Sequence, residues 1–205
     1  LATLVAATPE VVLDNGAELI EMLVAGGDHP RGATEETTSG AFTLRGPLKG
    51  RVPFPVIVIN DSPLKAIVEN KHGVGQSVIE TIRLATNALL QRRRLVVMGY
   101  GWCGRGIALY GKAAGADVAV VEPDAVKALE AAIDGFAVSD LEDELERGDV
   151  FVTATGAVGV ITVEHMAGMK NQALLANAGH FDTEIDVVGL REMADSVTAR
   201  GADVR

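Results

Sequence analysis

Cysteine is nearly missing from this chain. Cys103 is its only one, which rules out an internal disulfide framework and suits a reducing compartment, so a cytoplasmic location is expected. Long apolar runs are missing too: none reaches the length of a membrane-spanning helix, and no signal-peptide pattern opens the chain. Positive charge is scarce, with Lys+Arg 18 against Asp+Glu 28 and a net charge of −10. That balance argues against a nucleic-acid surface or an anionic membrane as the main partner. The basic run Arg92, Arg93 and Arg94 does not alter this, because it is read as closing a helix, where cations suit the dipole. His29, His72, His165 and His180 are scattered, and a lone cysteine cannot complete a zinc site, so no metal is expected. Internal repeats and low-complexity tracts are not seen either. What remains is a chain of 205 residues, 48% of them hydrophobic, enough for one full domain and part of another. It opens on Leu1 and stops at Arg205 in a polar stretch, which reads as a piece of a longer protein.

The most informative stretch is residues 95–122, LVVMGYGWCGRGIALYGKAAGADVAVVE. An apolar run enters a turn in which Gly99, Gly101 and Gly104 stand at G-x-G-x-x-G spacing. The first glycine permits a tight turn, the second removes a Cβ so that a pyrophosphate can approach, and the third lets helix close on strand. Amides at the start of the next helix would face the phosphates. A second apolar strand, 118–121, ends in Glu122, a carboxylate placed to accept the ribose hydroxyls of an adenine dinucleotide, which favours NAD over NADP. Cys103 sits inside the turn, where a packing role is expected.

Elsewhere strands and helices alternate. A strand at 11–14 leads through Asn15-Gly16 to a helical pattern at 18–24. Residues 29–40, HPRGATEETTSG, are polar and without periodicity, a solvated loop by composition, and residues 46–53, broken by Pro47, Gly50 and Pro53, read as a linker. After an apolar strand at 55–59, Lys65 and Glu69 fall at i,i+4 spacing. Gly73, Gly75 and Gln76 interrupt the pattern before an amphipathic helix carrying Val78, Ile82, Ala85 and Leu89, its start marked by a Ser77/Glu80 capping box. Beyond Glu122 come a helix at 125–133, a strand at 136–138, and a second capping box, Ser139/Glu142, opening an acidic, solvated helix that ends at Gly148. Strands at 149–155 and 173–177 flank a helical start at 163–166. This alternation predicts an α/β fold with a doubly wound parallel sheet. Ligands of such sheets lie outside the carboxyl ends of the strands, which nominates Thr155, Gly156, Asn177, Gly179 and His180.

Six segments in order, EETTSG, NDSPLKAIVEN, GVGQS, GYGWCGRGIA, VTATG and NAGHFDTEID, resemble the S-adenosylhomocysteine hydrolase family, over roughly residues 11–187. The resemblance implies a Rossmann NAD-binding domain at 63–205, including the helix that leads into it, preceded at 1–62 by part of a substrate-binding domain. It implies a tightly held NAD that oxidises the 3'-hydroxyl of a nucleoside ribose, loss of homocysteine from C5', addition of water, and return of the ketone to the alcohol. Glu36 matches the acid that hydrogen-bonds the ribose hydroxyls, and Lys65 with Glu69 the pair beside the 3'-hydroxyl. Thr37, Thr38, Ser39 and Asn70 match NAD contacts near the nicotinamide. Gly101, Trp102, Cys103, Gly104, Arg105 and Gly106 match the pyrophosphate turn, Glu122 the adenosine ribose contact and Lys127 a position on the adenine side. Ala178, Gly179 and His180 match the segment near nicotinamide and the reacting ribose. A nucleoside substrate and a homo-oligomer, a homotetramer in the family, are implied as partners.

The chain departs from the family pattern at three positions. Asn15 stands where the family has an acid/base Asp, and an amide cannot shuttle a proton. Glu69 replaces an Asp, moving the charge by one methylene, and Val74 stands where many members have Cys. Two other readings therefore stand beside the hydrolase. One is a diverged relative that uses 3'-oxidation for another nucleoside transformation, and the other is a non-catalytic NAD-binding protein.

Overall fold

The computed structural model describes residues 1–198; residues 199–205, the end of the expected second domain, lie outside them. The chain divides into two compact units, Leu1–Ile67 and a second from Val68 onward. In the first unit the elements are α1 (Ala2–Ala6), β1 (Val11–Asp14), α2 (Glu18–Gly26), β2 (Gly32–Glu35), α3 (Thr38–Arg45), β3 (Val56–Val58) and α4 (Pro63–Lys65). The three strands are parallel in the order β1-β2-β3, with Asp14 opposite Glu35 and Glu35 opposite Val58. Alternation along the strands places Val12 and Ala33 on the face that packs with Ile20 and Leu23 of α2, together with Leu48 and Phe54.

Two expectations fail in this unit. The polar stretch 29–40 is not a loop throughout: it contains β2, the central strand, and the start of α3. Gly32, Thr34 and Glu35 disguise the strand, because its buried carboxylate is satisfied by hydrogen bonds rather than by apolar neighbours. Nor is 46–53 a linker, since Leu48 is 1% exposed and belongs to the core.

The second unit opens on a π-helical stretch, Ala66–Gly73, that begins before the division and runs without a break into α5 (Val74–Thr86). Then follow β4 (Arg94–Met98), α6 (Trp102–Ala113), β5 (Asp117–Val121), α7 (Ala125–Ile133), β6 (Ala137–Val138) and α8 (Leu141–Glu144). The unit continues with β7 (Val150–Thr153), α9 (Val163–Gly168), β8 (Leu174–Asn177) and α10 (Val187–Met193). All five strands are parallel, in the order β6-β5-β4-β7-β8. Leu95 and Val97 pack with Ile79, Ile82 and Ile107 on one face, and Val96 and Met98 with Phe151, Ile161 and Ile185 on the other. Both faces are covered, so this is the doubly wound sheet, and the winding reverses between β4 and β7.

Helix punctuation differs from expectation in three places. Gly73, Gly75 and Gln76 interrupt nothing, and Ser77 and Glu80 lie inside α5, where Glu80 accepts from the Gln76 amide at 2.7 Å. Gly75 is a packing glycine: a Cβ there would lie 2.5 Å from the Gly106 backbone, and one on Gly106 would lie 1.8 Å from the Lys71 carbonyl. The arginine run closes no helix, because α5 ends at Thr86 and Arg94 begins β4. The Arg94 guanidinium is buried against Glu144, bonding both carboxylate oxygens, with Asp117 at 2.9 Å. The Ser139/Glu142 box does not form either: Asp140 is the N-cap of a four-residue helix. Glu144 is fully buried, so this acidic segment is not a wholly solvated face. Among the described residues, no helix is long and apolar enough to cross a membrane.

Candidate functional site

The glycine turn is built as its spacing predicts. Gly99 has φ +95, the left-handed region that a Cβ disfavours. Gly104 must lack a Cβ, which would fall 1.9 Å from the Gly99 carbonyl oxygen. At Gly101, the N-cap of α6, a Cβ would have nothing within 4 Å. The space there is open to a ligand, and it lies at the amino end of a twelve-residue helix whose first amides have no intrahelical acceptor.

Glu122, at the tip of β5, ties the turn down. It accepts from the Tyr100 N–H at 2.7 Å through one oxygen and from the Asp124 N–H at 2.9 Å through the other. Each carboxylate oxygen keeps lone-pair capacity for a sugar hydroxyl. Tyr100 is buried and donates its hydroxyl to Asp134 at 2.7 Å. Burial first, and then Asp134, push its phenol well above the usual tyrosine range, so it stays protonated. Arg105 lies over the Tyr100 and Trp102 rings, donates to the Tyr100 carbonyl at 3.2 Å and pairs with Glu130. Arg105 thus braces the turn. Trp102 is 42% exposed on its rim and Cys103 is half-buried within it. Lys127 is exposed in the first turn of α7, which Asp124 caps by accepting from the Val126 and Lys127 N–H groups; those two bonds hold the Asp124 carboxyl below its usual range.

At the tips of β7 and β8 the structure joins Thr155 and Gly156 with Gly179 through a residue that sequence reading missed. Glu184, 1% exposed, accepts from the Thr155 N–H at 2.9 Å, the Thr155 hydroxyl at 2.6 Å and the Gly156 N–H at 3.0 Å. Asn177 accepts from the Thr153 hydroxyl and the Gly179 N–H and donates to the Phe181 carbonyl, so it shapes the loop from within. Ala178 is half-buried, and His180 is exposed with its ring edge-on to Phe181 at 4.6 Å.

In the first unit, Asn15, Glu36, Thr37, Thr38 and Ser39 follow the carboxyl ends of β1 and β2. Glu35 anchors both loops: fully buried, it accepts from the N–H groups of Gly16, Ala17 and Thr37 and from the Thr37 hydroxyl. Gly40 leaves room for this carboxylate, which a Cβ would meet at 2.1 Å. Thr37 caps α3 through the Gly40 N–H, its hydroxyl lies 3.0 Å from that of Ser39, and Thr38 donates to Asn60 at 3.2 Å. Asn15 is exposed and donates its N–H to Asp14, whose carboxyl is pushed up by burial and by the nearby Glu35. Lys65 ends α4 in this unit, whereas Glu69 and Asn70 lie on the π-helical stretch in the second. Stretches of this geometry recur at functional sites.

A doubly wound sheet, a glycine turn with an open amino-terminal cradle and an acid at the neighbouring strand tip define a Rossmann-type dinucleotide-binding domain. Residues 70–203 match the family model described as S-adenosyl-L-homocysteine hydrolase, NAD binding domain. The chain belongs to the S-adenosyl-L-homocysteine hydrolase family, and its cofactor is NAD. It is 46% identical over 199 residues to the adenosylhomocysteinase of Archaeoglobus fulgidus, covering 95% of this chain and 49% of that protein. Against the S-inosyl-L-homocysteine hydrolase of Methanocaldococcus jannaschii it is 45% identical over 194 residues, covering 92% and 47%. The chain thus spans about half the length of the curated relatives it matches. Among solved structures, the phosphoglycerate oxidoreductase of Vibrio cholerae has a TM-score of 0.56 at 16% identity, covering 89% of this chain and 78% of that one. The D-lactate dehydrogenase of Escherichia coli has a TM-score of 0.55 at 15% identity, covering 89% and 63%. At these identities the likeness speaks for the fold alone.

Proposed function

We propose that the protein carrying this chain is an NAD-dependent hydrolase of an S-nucleosyl-L-homocysteine, releasing homocysteine from adenosine or a near relative such as inosine. The observation that carries this reading is the open cradle at Gly101 beside Glu122, in a chain that shares close to half its residues with named hydrolases of this kind. When bound, NAD supplies reversible oxidation of a secondary alcohol. The chain's own groups bind and orient. The α6 amides hold the pyrophosphate, Glu122 the adenosine ribose, with Lys127 towards the adenine, and Thr37, Thr38, Ser39, Asn70, Thr155, Gly156, Ala178 and Gly179 the nicotinamide half. Glu36 takes the substrate ribose hydroxyls, Lys65 with Glu69 moves the 3'-hydroxyl proton, and His180 stands at the reacting sugar. On this reading residues 1–62 are part of the substrate domain and 63–205 the NAD domain, in a cytoplasmic homo-oligomer.

The test is thiol release from S-adenosyl- and S-inosylhomocysteine by the whole protein loaded with NAD. Release at ordinary enzyme rates from either is expected. Asn15 and Glu69, both departures near the chemistry, favour a second reading in which oxidation at C3' serves another nucleoside transformation. Adenosine would then raise the near-ultraviolet band of the reduced nicotinamide while no thiol appears. Bound NAD that no nucleoside reduces would overturn both readings.

A further inference from the structure

Glu184 presents a problem that packing does not solve. A carboxylate 1% exposed is expensive to bury unless donors satisfy it, so its presence here is tied to the groups that point at it. Its backbone is already fixed, because its carbonyl accepts from the Ile161 N–H at 3.0 Å and Ile185 bridges Ile161. The carboxylate therefore does something beyond holding its own segment. It gathers three donors from one short loop, the N–H groups of Thr155 and Gly156 and the Thr155 hydroxyl. It also occupies the place of a Gly179 Cβ, which would lie 1.8 Å from its Oε1. One side chain thus couples the loops after β7 and β8.

A carboxylate only accepts, so it dictates direction. With the Thr155 and Gly156 N–H groups aimed at Glu184, planar trans peptides turn the Ala154 and Thr155 carbonyls the other way. The Ala154 carbonyl does face the glycine turn, 2.9 Å from where a Gly99 Cβ would be. With Glu122 on β5 read as the adenosine contact and the strand order β6-β5-β4-β7-β8, the other half of a bound dinucleotide would extend over β7 and β8. Its primary carboxamide needs carbonyl acceptors there.

We propose that Glu184 is a positioning residue for the nicotinamide half of NAD, turning the carbonyls of the β7 loop towards the carboxamide by holding the loop's N–H groups from behind. This rests on the assignment of NAD, and the test separates the two. Glu184→Gln keeps size and shape but sets an N–H against a loop N–H. In the whole protein, affinities for NAD and for ADP-ribose, which lacks the nicotinamide, are measured by calorimetry beside thermal melts. The variant is expected to bind NAD about tenfold more weakly and ADP-ribose within about twofold of the parent protein. Equal weakening of both ligands, or no change in either, would overturn the proposal and leave Glu184 a structural residue. If Glu184→Gln does not fold, Glu184→Asp is read by the same ratio, with a smaller loss for NAD alone expected and a uniform loss again fatal. A parent protein that binds ADP-ribose but not NAD would sink the cofactor assignment and the proposal together.

Discussion

Gly101 and Gly104 share a motif but carry different burdens. Gly104 serves the fold, because a Cβ would strike the Gly99 carbonyl oxygen at 1.9 Å. Gly101 has no such neighbour, since a Cβ there would meet nothing within 4 Å, and in the proposed reading that open space takes the pyrophosphate. Gly104→Ala is therefore expected to destabilise the protein by about 2 kcal/mol or more, as overpacking against backbone does, and to lower its melting temperature. Gly101→Ala should melt with the parent protein, within about 0.5 kcal/mol, yet lose at least about tenfold in NAD affinity as the methyl enters the pyrophosphate space. Thermal melts with NAD titrations check both, and a destabilised Gly101→Ala protein would contradict the open cradle. The spacing alone named both glycines; which of them a Cβ would clash at was visible only with their neighbours in place.

Several of the elements that depart from expectation share a cause, which is that polar residues read as surface. The β2 strand looks like a loop because Glu35 interrupts it, yet four hydrogen bonds satisfy that carboxylate. The acidic α8 and the arginine run look solvated, yet Arg94 and Glu144 bury each other at one end of the sheet. Burial pushes the Glu144 carboxyl up, but hydrogen bonds and charge from Arg94 outweigh it and leave it below its usual 4.5. A lowered acid stabilises the fold fully above its unfolded value and loses that contribution as pH falls through the folded one. Glu144→Gln should thus cost about 3 kcal/mol at neutral pH by leaving a buried guanidinium poorly paired. Urea melts of parent and variant should converge only below the ordinary carboxylate range. A stability gap that stays constant into strong acid would show that the charge of Glu144 plays no part.

For the whole molecule, NAD is a ligand of the folded state, and binding should raise stability by mass action. At a hundredfold excess over Kd the gain is about 2.7 kcal/mol, read as an upward shift in melting temperature. Gly101→Ala, binding at least about tenfold more weakly, should lose about half of that shift or more, while Gly104→Ala starts lower. No shift for the parent protein at high NAD would speak against a cradle that is ready to bind.

Short-range order was legible in the sequence because its causes are local. Apolar periodicity marked β4, β5, α7 and β8, glycine spacing marked the dinucleotide turn, and Glu122 was found from its place at the end of the second apolar strand. Six ordered segments pointed to the family for the same reason. The tertiary structure decided what depends on partners far apart in sequence. Gly75 against Gly106, Arg94 against Glu144, Glu35 beneath the Asn15 and Thr37 loops, and Glu184 behind Thr155 and Gly156 carry no local signature. A buried polar side chain reads like an exposed one until the donors that satisfy it are brought alongside by the fold.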